Sequence, residues 1–156
     1  WQGILWALGL ATLFGIMIVM VDSIAHFPED LNIPFPQSIF FYPAIGYVVE
    51  AVFHLLPLTA LFIIARTIFY QTDIQHIIWG CILIVTMIEP VYQTVGFIGL
   101  YPAWVVIYVA GHIFAINLAQ LIVFKQYDFM AMITLRMGYY LIWHIIWGHV
   151  RLDVLF

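Results

Sequence analysis

Leu135-Arg136-Met137-Gly138-Tyr139-Tyr140-Leu141-Ile142-Trp143-His144-Ile145-Ile146-Trp147-Gly148-His149 is an apolar stretch with a guanidinium near one end and an imidazole near the other. At helical spacing Arg136, Tyr140 and His144 fall at i, i+4 and i+8, so they form one polar stripe on an otherwise greasy helix. Charged and imidazole groups inside a lipid-embedded segment are costly and mark functional positions by default. The stretch therefore predicts both a membrane span and a place to look for chemistry.

The rest of the chain agrees with a membrane setting. Of its 156 residues 66% are apolar and 8% charged, against about 25% charged in soluble domains. Mean hydropathy is +1.11. Lipid must serve as solvent for most of this surface, so the lipid bilayer is the first partner expected. The net charge is −4, and the only cations besides histidine are Arg66, Lys125, Arg136 and Arg151, which leaves no basic patch for nucleic acid. A single Cys81 allows neither an internal disulfide nor a thiolate metal cluster, and it is read as packing. No repeat, low-complexity tract or Gly/Ser linker divides the chain, so one transmembrane domain over 1–156 is expected.

A spanning helix needs roughly 20 apolar residues. Five stretches meet that need: 4–21, 44–69, 77–100, 102–124 and 129–147, which predicts an all-α, polytopic membrane protein of about five helices. No cleavable signal pattern precedes the first stretch, which is read as a span. The segment 22–43 holds Pro28, Pro34, Pro36 and Pro43 among five aromatic residues and is read as an interfacial connector. That connector carries three acids and no Lys or Arg, whereas Arg66 and Lys125 lie in turns on the opposite side. The N-terminus is therefore expected on the cytoplasmic side.

Within hydrocarbon every polar group needs a partner, so the polar residues outline the interior. Glu50 and His54 stand one helical turn apart. Thr86, Glu89 and Gln93 form a second stripe, and His112, Asn117 and Gln120 a third, less well aligned one. Thr86, Asn117 and Gln120 are read as interhelical hydrogen bonds, each contributing about 0.6 kcal/mol. Glu50, His54 and His144 are read as one functional site, with Glu89 and His112 as further members. Arg136 should be buried and paired, Glu89 being its best-placed carboxylate. Three chemistries suit carboxylates and imidazoles at membrane depth: a Glu activating water with His help, a Glu/His metal site, or axial haem ligation by paired histidines. There is no His-Glu-x-x-His and no Gly-x-Ser-x-Gly, and the two serines, Ser23 and Ser38, lie in the connector.

Tyr42-Pro43-Ala44-Ile45-Gly46-Tyr47-Val48-Val49-Glu50-Ala51-Val52-Phe53-His54 resembles the first motif of the CPBP family, the CAAX-processing and bacteriocin-processing glutamic intramembrane proteases. That motif has an apolar lead with a proline, then Glu-Glu-x-x-x-Arg. A polar-bearing helix, 84–93, follows at about the family's separation. The stretch 129–148 resembles the last motif, a small-residue helix that ends in a His with an Asn four residues on. The similarity covers roughly 41–152, and each motif is loose. Val49-Glu50 stands for the paired glutamates and His54 for the Arg; Glu89 stands for the second motif's His, and Gly148 for the Asn. The resemblance implies an intramembrane protease fold, with Glu50 as the surviving motif glutamate and His144 as the last-motif histidine. It also implies a site rearranged at His54 and Glu89, a membrane-peptide substrate and no cofactor.

Two other classes compete with an enzyme. The broken motifs and aromatic surface fit a non-catalytic subunit packed on a larger bioenergetic or photosynthetic membrane complex. Histidines 54, 112 and 144 fit a haem-binding electron carrier. For the protease reading, the two inward-facing stripes should bring His144 to the Glu50–His54 pair.

Overall fold

The computed structural model describes residues 1–156. The chain is all-α, with no strand and five helices long and apolar enough to cross a membrane: α1 Gln2–Ala25, α2 Ser38–Ile68, α3 Ile74–Phe97, α4 Ala103–Gln126 and α5 Phe129–Leu155. Large apolar side chains such as Leu5, Ile24, Leu56 and Ile107 are more than 60% exposed. Exposed apolar area on that scale needs lipid to cover it. The protein is a multi-pass membrane protein.

Helix starts follow local chemistry. Asp73 caps α3 by accepting from the Gln75 amide at 2.7 Å, and Asp128 caps α5 by accepting from the Ala131 amide at 2.8 Å. Each satisfies a donor that has no partner inside its helix. Prolines disturb α2 and α3. Pro57 cannot donate to the Phe53 carbonyl four residues back, and the turn just before it, Glu50–Leu55, is wound as a π-helix. Pro90 likewise withholds a bond from the Thr86 carbonyl, and α3 breaks its α-helical pattern at Met87. A second π-helical turn, Leu141–Trp147, interrupts α5.

The chain divides into two compact units, 1–48 with 122–156, and 49–121. In the first, α1 packs along α5 through small residues. Gly3, Ala7, Ala11 and Gly15 recur every four residues, and all four are buried. This spacing lets two backbones approach closely where lipid supplies no hydrophobic drive. A Cβ on Gly15 would stand 2.7 Å from Ile142 Cγ2, and one on Gly138 would stand 2.9 Å from the Ala11 Cβ. In the second unit the C-terminal half of α2 packs on α3.

The connector is shorter than its prolines imply. Helix α1 runs past Asp22 to Ala25, and α2 begins at Ser38 with Pro43 inside it. The reason for the first extension is Arg151. Asp22 and Arg151 are both 0% exposed. Arg151 donates through Nε to Asp22 Oδ2 at 2.8 Å and through Nη2 to Oδ1 at 3.0 Å. Asp22 also accepts from the Phe27 amide at 2.9 Å and from Trp147 Nε1 at 2.7 Å. The remaining guanidinium donors go to the carbonyls of Phe27 (2.5 Å), Pro28 (2.7 Å) and Glu29 (3.5 Å). A carboxylate so filled with donors has no need of headgroup water, so the helix does not have to end there. The sequence reading put Arg151 beyond the fifth span; the structure puts it inside α5, tied to α1 and the connector.

Removing one member of this pair strands the other. Arg151→Met should lower stability by about 3–5 kcal/mol, read as the unfolding midpoint in mixed detergent and SDS. The double variant Asp22→Leu/Arg151→Met should regain much of that loss. A single variant as stable as the parent would show that the pair contributes little.

Candidate functional site

The second unit collects polar side chains at its centre. Glu50 and His54 lie on the π-helical turn of α2, Glu89 and Gln93 on α3 just after the break at Met87, and Gln120 on α4. Glu50, His54 and Gln120 are 0% exposed and Glu89 is 1% exposed. A π-helical turn carries an additional residue, and such turns recur at functional sites because they re-aim side chains.

The contacts form a chain. Gln120 Nε2 donates to Glu50 Oε1. Glu50 Oε2 lies 3.1 Å from His54 Nδ1. The other imidazole nitrogen, Nε2, lies 3.8 Å from Glu89 Oε2. Glu89 Oε1 then accepts from Gln93 Nε2 at 2.8 Å. Each carboxylate is thus held at one oxygen by a glutamine amide and turned at the other toward the same imidazole. Two carboxylates face opposite nitrogens of one buried ring, Glu50 the nearer of the two. They do not converge on one point, and no group of three or more His, Cys, Asp or Glu side chains is placed to hold a metal ion.

The pairing of Glu50 with His54 one turn on is as expected, and so is that of Glu89 with Gln93. Thr86, read from the sequence as an interhelical hydrogen bond, instead gives its hydroxyl to the Ile82 carbonyl of its own helix at 2.5 Å. His112 is buried on α4, its ring stacked on Tyr108 at a centroid distance of 5.6 Å and with the Tyr108 hydroxyl 3.5 Å from Nδ1. Gln120 makes an interhelical hydrogen bond, as read from the sequence, but its partner, Glu50, and so its place at this site were not foreseen. A signal was present, since Gln120 lies in the same apolar span as His112 and Asn117, but nothing in the sequence tied it to Glu50.

His144 belongs to the first unit and has its own polar partners. Its Nδ1 lies 2.6 Å from Asn32 Oδ1, and its ring stacks on Tyr42 at 4.3 Å and 16°. The Tyr42 hydroxyl accepts from the Ile33 amide at 2.9 Å and donates to Asn32 Oδ1 at 3.3 Å. Tyr140 meets the same imidazole edge-on at 4.8 Å. Arg136 is buried, as expected, with its guanidinium carbon 5.5 Å from the Tyr140 ring centre. The Arg136–Tyr140–His144 stripe therefore exists as a set of contacts within α5. Glu50 and His54 fall in the other unit, with the partners given above.

No family model matches the chain, and neither the curated proteins nor the solved structures contain a match to it.

The imidazole separates two buried carboxylates, which predicts how the cluster fails. His54→Leu should destabilise the protein strongly, because two acids then share an apolar space. Adding Glu89→Gln removes one charge and should restore part of the stability. Unfolding midpoints of the two variants in detergent measure this. A double variant no more stable than the single would refute the repulsion argument.

Proposed function

We propose that this protein is an intramembrane hydrolase related in kind to the CPBP glutamic proteases, with Glu50 as the general base on water. The observation that carries the reading is Glu50 itself. It is completely buried on a π-helical turn of an apolar span, one oxygen on Gln120 and the other facing His54. A buried polar cluster that serves only to hold helices together can often be replaced as a whole by well-packed apolar side chains at little cost. A carboxylate held by an amide and an imidazole has the orientation that proton abstraction requires.

In this reading His54 orients the base, and Glu89 holds the far side of the imidazole, as a second-tier carboxylate does for a catalytic histidine. The substrate is a peptide bond within or beside an apolar segment that enters from the bilayer. His144, which the resemblance makes the last-motif histidine, carries no part of this reading. Arg66 and Lys125 face the cytoplasm, and the N-terminus with them.

The test is cleavage of a quenched fluorogenic peptide with a 20-residue apolar segment in proteoliposomes. Glu50→Gln keeps the shape and the hydrogen bond from Gln120 but cannot take a proton. It should lower kcat by about 10²–10⁴-fold. Cleavage by Glu50→Gln at the parent rate, or none by the parent protein, overturns the reading.

A further inference from the structure

Gln120 does more at this centre than tie α4 to α2. Its amide has two ends with opposite chemistry, and only one of them is used by the protein. A carboxylate oxygen accepts hydrogen bonds, so the amide nitrogen must face Glu50 and the amide oxygen must face away. That oxygen, Gln120 Oε1, is buried, and no donor of the protein reaches it. Amide oxygen and nitrogen share one carbon, so the unused acceptor sits within a single water's span of the Glu50 carboxylate. Buried acceptors left without a donor are costly, and in native proteins they take a water or a ligand group.

The other carboxylate–amide pair of the chain differs. Gln93, which donates to Glu89, is exposed. Both carboxylates are buried, but the amide partner of Glu89 is exposed whereas that of Glu50 is fully buried. A water held at the Glu50 end would meet two acceptors, one on each residue. With both hydrogens engaged, its lone pairs point away from both, toward an incoming carbonyl carbon.

We propose that Gln120 is a positioning residue of the hydrolytic site, its Oε1 accepting one hydrogen of the water whose other hydrogen Glu50 removes. This rests on the reading of Glu50 as base. The step balances as follows. Glu50 takes a proton from water, and the water oxygen forms a bond to the peptide carbonyl carbon while the π pair moves to the carbonyl oxygen. That pair then re-forms the C=O bond, the C–N bond breaks, and the proton on Glu50 passes to the leaving nitrogen. The products are a carboxylic acid and an amine, and no further reactant is needed.

The experiment compares Gln120→Met, Gln120→Glu and Glu50→Gln with the parent, each as the full chain in proteoliposomes with the same fluorogenic peptide. Methionine keeps the length and loses both hydrogen-bonding ends. A glutamic acid in its protonated form keeps one donor and one acceptor. Gln120→Met should lower kcat about 100-fold with KM changed less than about threefold, while Gln120→Glu keeps at least about a tenth of the parent kcat. A folded Gln120→Met with parent kcat overturns the proposal, and so does a loss that appears only in KM. If Gln120→Met does not fold, Gln120→Glu decides: retained kcat supports the proposal, and an inactive, folded Gln120→Glu overturns it. Glu50→Gln dead with Gln120→Met fully active removes Gln120 alone. A parent that does not cleave, or an active Glu50→Gln, removes the reading of Glu50 and this one with it.

Discussion

The structure depends on one constraint: a polar group in hydrocarbon must meet another polar group. Lipid cannot drive helices together by excluding apolar surface, since its own tails are apolar. What remains is close backbone packing and the matching of donors to acceptors, and each compact unit shows a version of this. In the first, a ladder of Gly and Ala lets α1 lie against α5, and a carboxylate and a guanidinium then satisfy each other completely. In the second, two carboxylates and two amides are arranged around a single imidazole. The first arrangement uses up every donor and acceptor it has, which is what a purely structural contact should do. The second leaves the Gln120 amide oxygen without a donor, and the candidate site is argued from that difference.

Helix number and class were legible in the sequence because hydropathy over some twenty residues reports directly on what lipid accepts. The Glu50–His54 and Glu89–Gln93 contacts were legible too, since each is a same-helix pair at a spacing of four. The Gln120–Glu50 contact was not, because the two residues are 70 positions apart and no periodicity relates residues on different helices. Arg151 was misread for a related reason. A hydropathy pattern ends a span at a charge, and only the position of Asp22, 129 residues earlier, shows that the charge is matched. The connector was drawn too long on both sides: proline was counted as a breaker at position 43, where the helix admits it, and Asp22 was counted as an end.

Helix irregularity is concentrated where polar side chains must be aimed. Glu50 and His54 share one π-helical turn, and His144 sits in the other. At the first of these, Pro57 supplies the cause, since its missing N–H has already removed one rung of the helical ladder at Phe53. No proline accompanies the turn around His144, where stacking on Tyr42 and the contact with Asn32 fix the ring. Glu89 follows the same rule in another form, lying just beyond the interruption that Pro90 imposes on α3. Backbone departures from the α-helix thus coincide with the residues that carry the candidate chemistry.

The union of Asp22 with Arg151 also orders events at the ribosome. Asp22 emerges early and its guanidinium partner 129 residues later, an interval of roughly 6–26 s at ~5–20 residues per second. Throughout that time the first helix has an acid at its boundary and nothing to neutralise it, so that end must stay in contact with water or with the insertion machinery. Final seating of the helix and closure of the connector over it therefore wait until Arg151 has been made. A chain stalled or cut before Arg151 would hold the first span in the membrane without its lock.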